Sequence, residues 1–321
     1  MIDDKTIKGM LSHTIENTDF PGLGVKYEGK VRDNYSQNGK RIIICTDRIS
    51  AFDVVLGTIP FRGQLLNEMT NFWFRETKET IENHVVDVPD ANVTVATEAK
   101  PMPVEMIVRG YIAGSAWRSY EKGEREICGM HFPDGLKKNQ VLEQPVITPT
   151  TKAEKGAHDE NISREQILEI GLVEEKTYEK MEKASLKLFE KGTKICAKNN
   201  LILVDTKYEF GLVEKKLVLI DEIHTPDSSR FWYLDSYQKL FSIGEEQKQL
   251  SKEFLREWLI SKGYMGNGPI PDIQGGVKVE FAKRYIETFE TITGAGFEPD
   301  LSTNALERIQ NNLRNWKYFQ G

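Results

Sequence analysis

The run LILVDTKYEFGLV (201–213), followed closely by KLVLIDE (216–222), constrains the fold more than any other part of the chain. Both runs alternate with period two and are joined by a tight turn over Glu214–Lys216, the pattern of a β-hairpin. On the first strand Val204, Thr206, Tyr208 and Phe210 share one face, and Asp205, Lys207 and Glu209 share the other. With the turn centred on Lys215, opposed residue numbers sum to 430, which sets Glu209 across from Asp221. Opposed Cβ atoms lie about 5 Å apart, where two carboxylates repel by roughly 3 kcal/mol at an effective dielectric near 20. A cation must offset that cost. Two readings stand: an ion pair with Lys207, or Mg2+, a hard ion that takes oxygen ligands and phosphate partners.

The rest of the chain divides by texture. Residues 3–16 read as a short helix ending before the Pro21-Gly22 turn. From 24 to about 100, alternating runs such as KRIIICTD (40–47), HVVDVPD (84–90) and NVTVATE (92–98) are split by turn residues, with one helix around Leu65–Glu79. This is a mostly β amino-terminal domain, 1–101. KPMP (100–103) reads as a hinge, and PVEMIVRGY (103–111) as the first strand of an α+β domain over 102–321. Between Gly129 and Asn161 the periodicity fades around Pro133, Pro145 and Pro149, and structureless loops that long are often functional. Ser163 and Gln166 form a capping box for helical sequence that breaks near Gly171 and resumes to about Asn199. Its Tyr178, Met181, Leu188 and Ile195 fall on one core-facing side. From about 245 the pattern is helical, over 245–262, 277–293 and 303–318. Strands early and helices late make an α+β chain, and 321 residues suffice for about two domains.

Charge and cysteine usage narrow the function. Lys and Arg number 43 against 49 Asp and Glu, a net charge of −6, whereas a nucleic-acid binder needs a basic face to release counterions from phosphates. No apolar run approaches the roughly 20 residues that span a bilayer, and the start of the chain lacks the regions of a secretory signal. Cys45, Cys128 and Cys196 are widely spaced and read as free thiols of a reducing compartment. The expectation is a cytoplasmic enzyme, monomer or homodimer, that acts on small molecules and binds neither nucleic acid nor membrane.

GVKYEGKV (24–31) fits the first seven positions of a P-loop, but Val31 stands where a magnesium-binding hydroxyl is required. The residues that follow alternate like a strand instead of opening an anion-binding helix. What survives is Lys30 and Arg32, two apart on one strand face, suited to a phosphate or to a plain solvated surface. Arg230 lies in EIHTPDSSRFW (222–232), just past Asp221, and its fork can grip phosphate or carboxylate. The alternative is that Asp227 and the serines simply cap a turn. VRGYIAGSAWRSY (108–120) ends a strand at Arg109 and then either opens an anion-attracting helix at Gly114-Ser115 or merely connects two elements. TPTTKAEKGAHDE (148–160) carries Lys152, His158 and Asp159, with His158 a general base or a structural residue. DRISAFD (47–53) adds Asp47, Arg48, Ser50 and Asp53. Several anion grips, a carboxylate pair and no sign of a covalent nucleophile favour ATP-dependent chemistry on a phosphorylated small molecule.

Taken in order, seven blocks resemble the SAICAR synthetase family: YEGKVRDNY (27–35), DRISAFD (47–53), NEMTNFWF (67–74), VRGYIAGSAWRSY (108–120), PTTKAEKGAHDENIS (149–163), LVDTKYEFG (203–211) and DEIHTPDSSRFW (221–232). The helical carboxy-terminal extension resembles the longer branch of that family. The resemblance implies a two-lobed α+β fold related to ATP-grasp and protein-kinase nucleotide-binding domains. It implies that ATP, L-aspartate and 5-amino-1-(5-phosphoribosyl)imidazole-4-carboxylate (CAIR) give SAICAR, ADP and phosphate, through an acyl phosphate. It gives Lys30, Lys207, Glu209 and Asp221 catalytic roles, with Glu209 and Asp221 as Mg2+ ligands. Lys30 and Arg32 would meet the ATP phosphates, and 98–104, including Glu98 and Met102, would form the adenine hinge. Arg109, Ser115 and Arg230 would bind CAIR with Asp227 near its ribose or phosphate, while Lys152, His158 and Asp159 would hold CAIR or aspartate. The enzyme alternative is a kinase-like phosphotransferase that phosphorylates a small ribotide and stops there; a non-catalytic nucleotide-binding scaffold is the alternative of another class.

Overall fold

The structure is a computed structural model that describes residues 2–52, 54–152, 159–250 and 252–314. Asp53 and His158 lie outside the described residues. The chain divides into two compact units, one of Met1–Phe72, His84–Glu98 and Lys252–Gly321, the other of Trp73–Asn83 and Ala99–Ser251.

In chain order the first stretch holds α1 (Asp4–Gly9), β1 (Val25–Glu28), β2 (Arg32–Gln37), β3 (Lys40–Cys45), β4 (Arg48–Ala51), β5 (Val54–Thr58), α2 (Arg62–Thr77), β6 (Val85–Asp90) and β7 (Val93–Thr97). The middle holds β8 (Lys100–Tyr111), α3 (Gly114–Glu121), β9 (Glu126–Ile127), β10 (Met130–His131), β11 (Val141–Ile147), β12 (Thr150–Thr151), α4 (Arg164–Glu169) and α5 (Glu175–Lys198). It continues with β13 (Leu201–Val213), β14 (Lys216–Ile220), β15 (Ser229–Tyr233) and α6 (Leu234–Ile243). The chain ends with α7 (Glu253–Ser261), α8 (Gly275–Thr293) and α9 (Ala305–Arg314).

In the first unit five antiparallel strands run in the order β1-β2-β3-β7-β6, beside a β4–β5 pair. Period-two alternation buries Tyr35, Ile42, Ile44, Val93 and Val95 against Ile15, Phe20 and Leu23, and against Ile309 and Leu313 of α9. Arg308, also on α9, forks onto Asp90 of β6 at 2.9 and 3.0 Å. The carboxy-terminal helices therefore group with this unit, whereas the sequence reading attached them to the second domain. The reason is local: the apolar residues of the sheet need a cover, and amphipathic α9 supplies part of it.

The turn between β1 and β2 is held from below by Arg48. Its Nε and one terminal nitrogen donate to the carbonyls of Lys30 and Gly29, both at 3.0 Å. The same guanidinium meets the buried Asp33 carboxylate at 2.7 Å and donates to the Glu16 carbonyl. Lys30 thus sits in a turn and Arg32 at the start of β2, not side by side on one strand as alternation suggested.

In the second unit the sheet order is β11-β8-β13-β14, with β12 added to β8 and β15 to β13. Amphipathic α5 packs on β13 and β8 through a buried side that includes Tyr178, Met181 and Leu188. Ser163 and Gln166 make the expected capping box at the start of α4. Three sequence expectations change. The hairpin turn is the two-residue Glu214-Lys215, with φ of 47° and 69°, the doubly positive geometry whose twist suits tight hairpins. Glu209 therefore faces Ile220, and Asp221 lies one residue past the ladder with φ of 64°. KPMP is not irregular linker but the beginning of β8, just past the Glu98/Ala99 boundary between the two units. Its prolines have no N–H to give, and the β8–β13 register shifts between the Glu209 and Gly211 pairs beside them. The 129–161 region is not structureless, since β11 forms an edge strand whose register breaks around Pro145, a position where sheets tolerate proline.

Burial raises the Asp33 carboxyl, but hydrogen bonds from Arg48 and Thr18 outweigh it and hold it below the ordinary 3.8. A depressed folded value means stability that is present above pH 3.8 and lost as pH falls through that lower value. Asp33→Asn removes one partner of a buried pair and is expected to cost about 3 kcal/mol in urea unfolding at pH 7. The gap to wild type should narrow on acidification below the ordinary carboxylate value; an equal gap at both pH values would refute the pairing.

Candidate active site

Strand β13 carries two buried carboxylates on its charged face, and each has collected cations from neighbouring strands. Asp205 is paired in register with Arg109 of β8 on one side and Arg230 of β15 on the other. Its Oδ2 accepts from Arg230 at 2.5 Å and lies 3.4 Å from Arg109. Arg109 is 4% exposed; it also donates to Thr148 Oγ1 at 2.8 Å and to Ser115 Oγ at 3.1 Å. Two guanidiniums against one carboxylate leave a local excess of positive charge, and burial together with Arg230 lowers the Arg109 pKa against the pull of Asp205.

Helix α3 opens beside this grip. Gly114 has φ of 55°, and a Cβ there would stand 2.4 Å from the Arg230 guanidinium nitrogens, so only glycine lets the fork approach. The N-cap residue Ala113 provides no capping side chain, which leaves the positive end of the helix dipole without a side-chain partner at its N-cap. An anion suits this corner.

Four residues further along β13, about 13 Å at strand rise, Glu209 faces Glu105 of β8. Carboxylates opposed at about 5 Å repel by roughly 3 kcal/mol at an effective dielectric near 20. Lys207 answers this repulsion by donating to Glu105 at 2.7 Å and to Glu209 at 2.5 Å. Lys152 donates to the other Glu209 oxygen. Burial alone would raise the Glu209 carboxyl, but the two lysines hold it well below the ordinary range. Burial lowers Lys207, yet Glu209, Glu105 and Asp221 keep it well above its ordinary value. Glu105 is pushed up to about 7 by burial, with Glu209 adding and Lys207 opposing. Asp221 also stabilises the charge on Lys152. So Glu209 and Asp221 share a cation cluster although they are not opposed on the ladder.

Among the described residues no group of three or more His, Cys, Asp or Glu is assembled as a metal nest. Glu209 and Asp221 nevertheless supply the hard oxygen donors that Mg2+ requires, and magnesium is typically held by one or two carboxylates together with substrate phosphates. The donor chemistry fits.

The segment after Asp221 is firmly tied. Ser229 Oγ donates to Thr206 Oγ1 at 2.7 Å, the Ser228 carbonyl accepts from the Lys207 amide, and Asp227 lies in the turn between them and Thr225. His224 is fully buried, shares a 2.6 Å hydrogen bond with Tyr208 and meets the Trp73 ring edge-on at 4.5 Å. Burial pushes its pKa down to about 3, so it stays neutral and serves as packing. Asp159 lies close enough to raise the Glu105 carboxyl. In the first unit Lys30 occupies its turn, Arg32 begins β2, and Glu98 pairs with Arg41 at 3.4 Å. Met102 is buried on β8. Sequence reasoning passed over Glu105, and it gave Thr148, in the polar loop, and Asp205 no specific role. The signal for the first was available, since Glu105, Ile107 and Arg109 share a face and two charges on so apolar a strand need partners.

Arginine forks gathered on Asp205 and a lysine-bridged carboxylate pair across β8 and β13 are the equipment of an enzyme that handles an anionic small molecule. The family model for SAICAR synthetase matches residues 25–269. The phosphoribosylaminoimidazole-succinocarboxamide synthase of Bacteroides thetaiotaomicron is 49% identical over 311 residues, 96% of this chain and 99% of that protein. A solved SAICAR-synthase from Saccharomyces cerevisiae, complexed with SAICAR, superposes with a TM-score of 0.78 at 35% identity, covering 88% of this chain and 99% of that one. A SAICAR synthetase solved in complex with ADP gives a TM-score of 0.65 at 25% identity, over 85% of this chain and 100% of that one. The chain belongs to the SAICAR synthetase family. No helix among the described residues is long and apolar enough to cross a membrane.

Lys207→Met leaves Glu105 and Glu209 opposed without their shared cation and is expected to cost about 3 kcal/mol or more of stability in metal-free buffer. Millimolar Mg2+ should raise the Tm of this variant more than that of wild type. Unchanged stability, or a Tm indifferent to Mg2+ in both proteins, would contradict the electrostatic account of the cluster.

Proposed function

We propose that the chain makes SAICAR through an acyl phosphate, with the Asp205 and Glu209 clusters of β13 handling the two ends of CAIR. The activity itself, ATP-dependent formation of SAICAR in purine biosynthesis, follows from membership of the family. The observation that carries the finer reading is the gathering of two cation clusters around Asp205 and Glu209, four residues apart on one buried strand. CAIR has a phosphate at one end and a carboxylate at the other, and each end needs a cationic partner. Arg109 and Arg230, with Ser115, would take the phosphate end, and Asp227 would border the ribose. Lys152 and Lys207 would receive the carboxylate end, with Asp159 and His158 towards aspartate.

An unreactive carboxylate becomes an acylating agent when one of its oxygens attacks the γ-phosphorus of ATP and ADP leaves. The aspartate amine then attacks the acyl carbon, the C–O bond breaks, phosphate departs with the former carboxylate oxygen, and the amine gives up a proton as the amide forms. Catalysis of this kind rests on alignment and on neutralising charge as it develops. Lys207 and Lys152 both donate to Glu209, which gathers their charge at the proposed place of the carboxylate. Glu209 and Asp221 would hold Mg2+, which would supply charge neutralisation to the phosphates when bound. Lys30 and Arg32 would meet the ATP phosphates, and 98–104, with Glu98 and Met102, would hold the adenine; the ADP complex of a family member supports ATP as the nucleotide. A relation to ATP-grasp and kinase nucleotide-binding domains belongs to the same reading. The three free cysteines support a cytoplasmic location.

CAIR labelled with 18O in its carboxylate tests the chemistry. The acyl phosphate predicts label in the inorganic phosphate released, and release that depends on aspartate. Full-rate ADP formation without aspartate, with label retained in a phosphorylated ribotide, would establish the phosphotransferase alternative instead.

A further inference from the structure

The carboxy-terminal helices reach the β1–β2 turn through a chain of buried arginines, all within the first unit. Arg62, at the start of α2, is fully buried. Its Nε donates to the Tyr285 hydroxyl of α8 at 3.3 Å, and its guanidinium carbon lies 5.5 Å from the centre of that ring. Another of its nitrogens donates to the Arg48 carbonyl. The Arg48 guanidinium in turn takes the carbonyls of Gly29 and Lys30. In a trans peptide the C=O of one residue and the N–H of the next point in opposite directions. Two successive carbonyls turned towards Arg48 therefore turn the amides of Lys30 and Val31 away from it, and successive N–H groups aimed outward suit an anion.

We infer that Tyr285 of the carboxy-terminal extension is a positioning residue for nucleotide binding, acting through Arg62 and Arg48 on the Gly29-Lys30 turn. The inference rests on the proposed reading of that turn as the phosphate-binding element. The extension also meets the DRISAFD segment directly, farther along. Lys252 approaches Ser50 at 3.5 Å, and Tyr264 meets Phe52 edge-on at 6.1 Å. Phe52 has φ of 51°, an unfavourable conformation for a bulky residue that needs surrounding structure to hold it. The extension thus meets the segment that carries Arg48 directly at Ser50 and Phe52 and reaches Arg48 itself through Arg62.

The test uses the full chain with ADP and Mg2+ as probe, titrated calorimetrically in wild type, Lys30→Ala, Tyr285→Phe and the double variant. Tyr285→Phe keeps the ring and its packing, and a thermal melt checks the fold. Loss of one hydrogen bond in the relay should weaken ADP about threefold to tenfold and leave the KM for CAIR unchanged. Amide exchange over residues 29–32 should quicken in the same variant. The double variant should bind ADP less well than Lys30→Ala alone, because Lys30→Ala removes the ammonium but keeps the turn's amides, which Tyr285 helps to place. Normal ADP affinity in Tyr285→Phe, with Lys30→Ala impaired, overturns the relay alone. Equal weakening of ADP and CAIR also overturns it, as a general loss of structure. Normal affinity in Lys30→Ala would overturn the phosphate reading of the turn and the relay together.

Discussion

The ammonium of Lys207, held between Glu105 and Glu209, is the interaction on which the second unit turns. Two carboxylates this buried and this close cannot both stay ionised without a cation between them. Lys207 lies on the same strand face as Glu209, so the strand carries its own counter-charge. The same logic repeats four residues earlier with the sign reversed, where Asp205 holds two arginines near each other. Charge alternation along one buried strand therefore builds two sites at once, one rich in fork donors and one in exchangeable cation contacts. A ligand with an anion at each end is the natural complement.

The first unit solves a different problem. Its β1–β2 turn needs an anchor, and Arg48 supplies one by binding the turn's main-chain carbonyls. A guanidinium can do this because it has five donors and no acceptor. Placing it beside Asp33 offsets the cost of burial, and the carboxy-terminal helices secure its backbone from behind. An extension that the sequence reading placed with the second domain contributes to the core of the unit that holds this turn.

Strong local periodicity was legible: the β13–β14 hairpin, the amphipathic α5, the capping box at Ser163 and the early strands were all readable from residue order. The motif blocks also carried the family. What failed were features decided by distant partners or by one residue of turn geometry. Choosing a turn centred on Lys215 instead of the two-residue Glu214-Lys215 moved the register by one and put Asp221 opposite Glu209. The electrostatic grouping of the two survives because Asp221 leaves the ladder with a positive φ. Glu105 went unread because its partner lies more than a hundred residues away, and only strand pairing makes the two carboxylates neighbours. The placement of the extension was unreadable for a similar reason: an amphipathic helix announces that it will be covered, but not by what.

The account's central claim is that the Asp205 cluster takes the phosphate end of CAIR, while the Glu209 cluster takes its carboxylate end and, through Mg2+, the phosphates of ATP. The most direct measurement is the affinity of CAIR and of Mg2+-bound ATP in Arg230→Ala and in Glu209→Gln. Removing a charged fork should weaken CAIR about tenfold or more and change ATP little. Glu209→Gln should reduce the magnesium dependence of ATP binding while leaving the phosphate end of CAIR in place. Equal losses for both ligands in both variants would show that β13 carries a single undivided site and contradict the account.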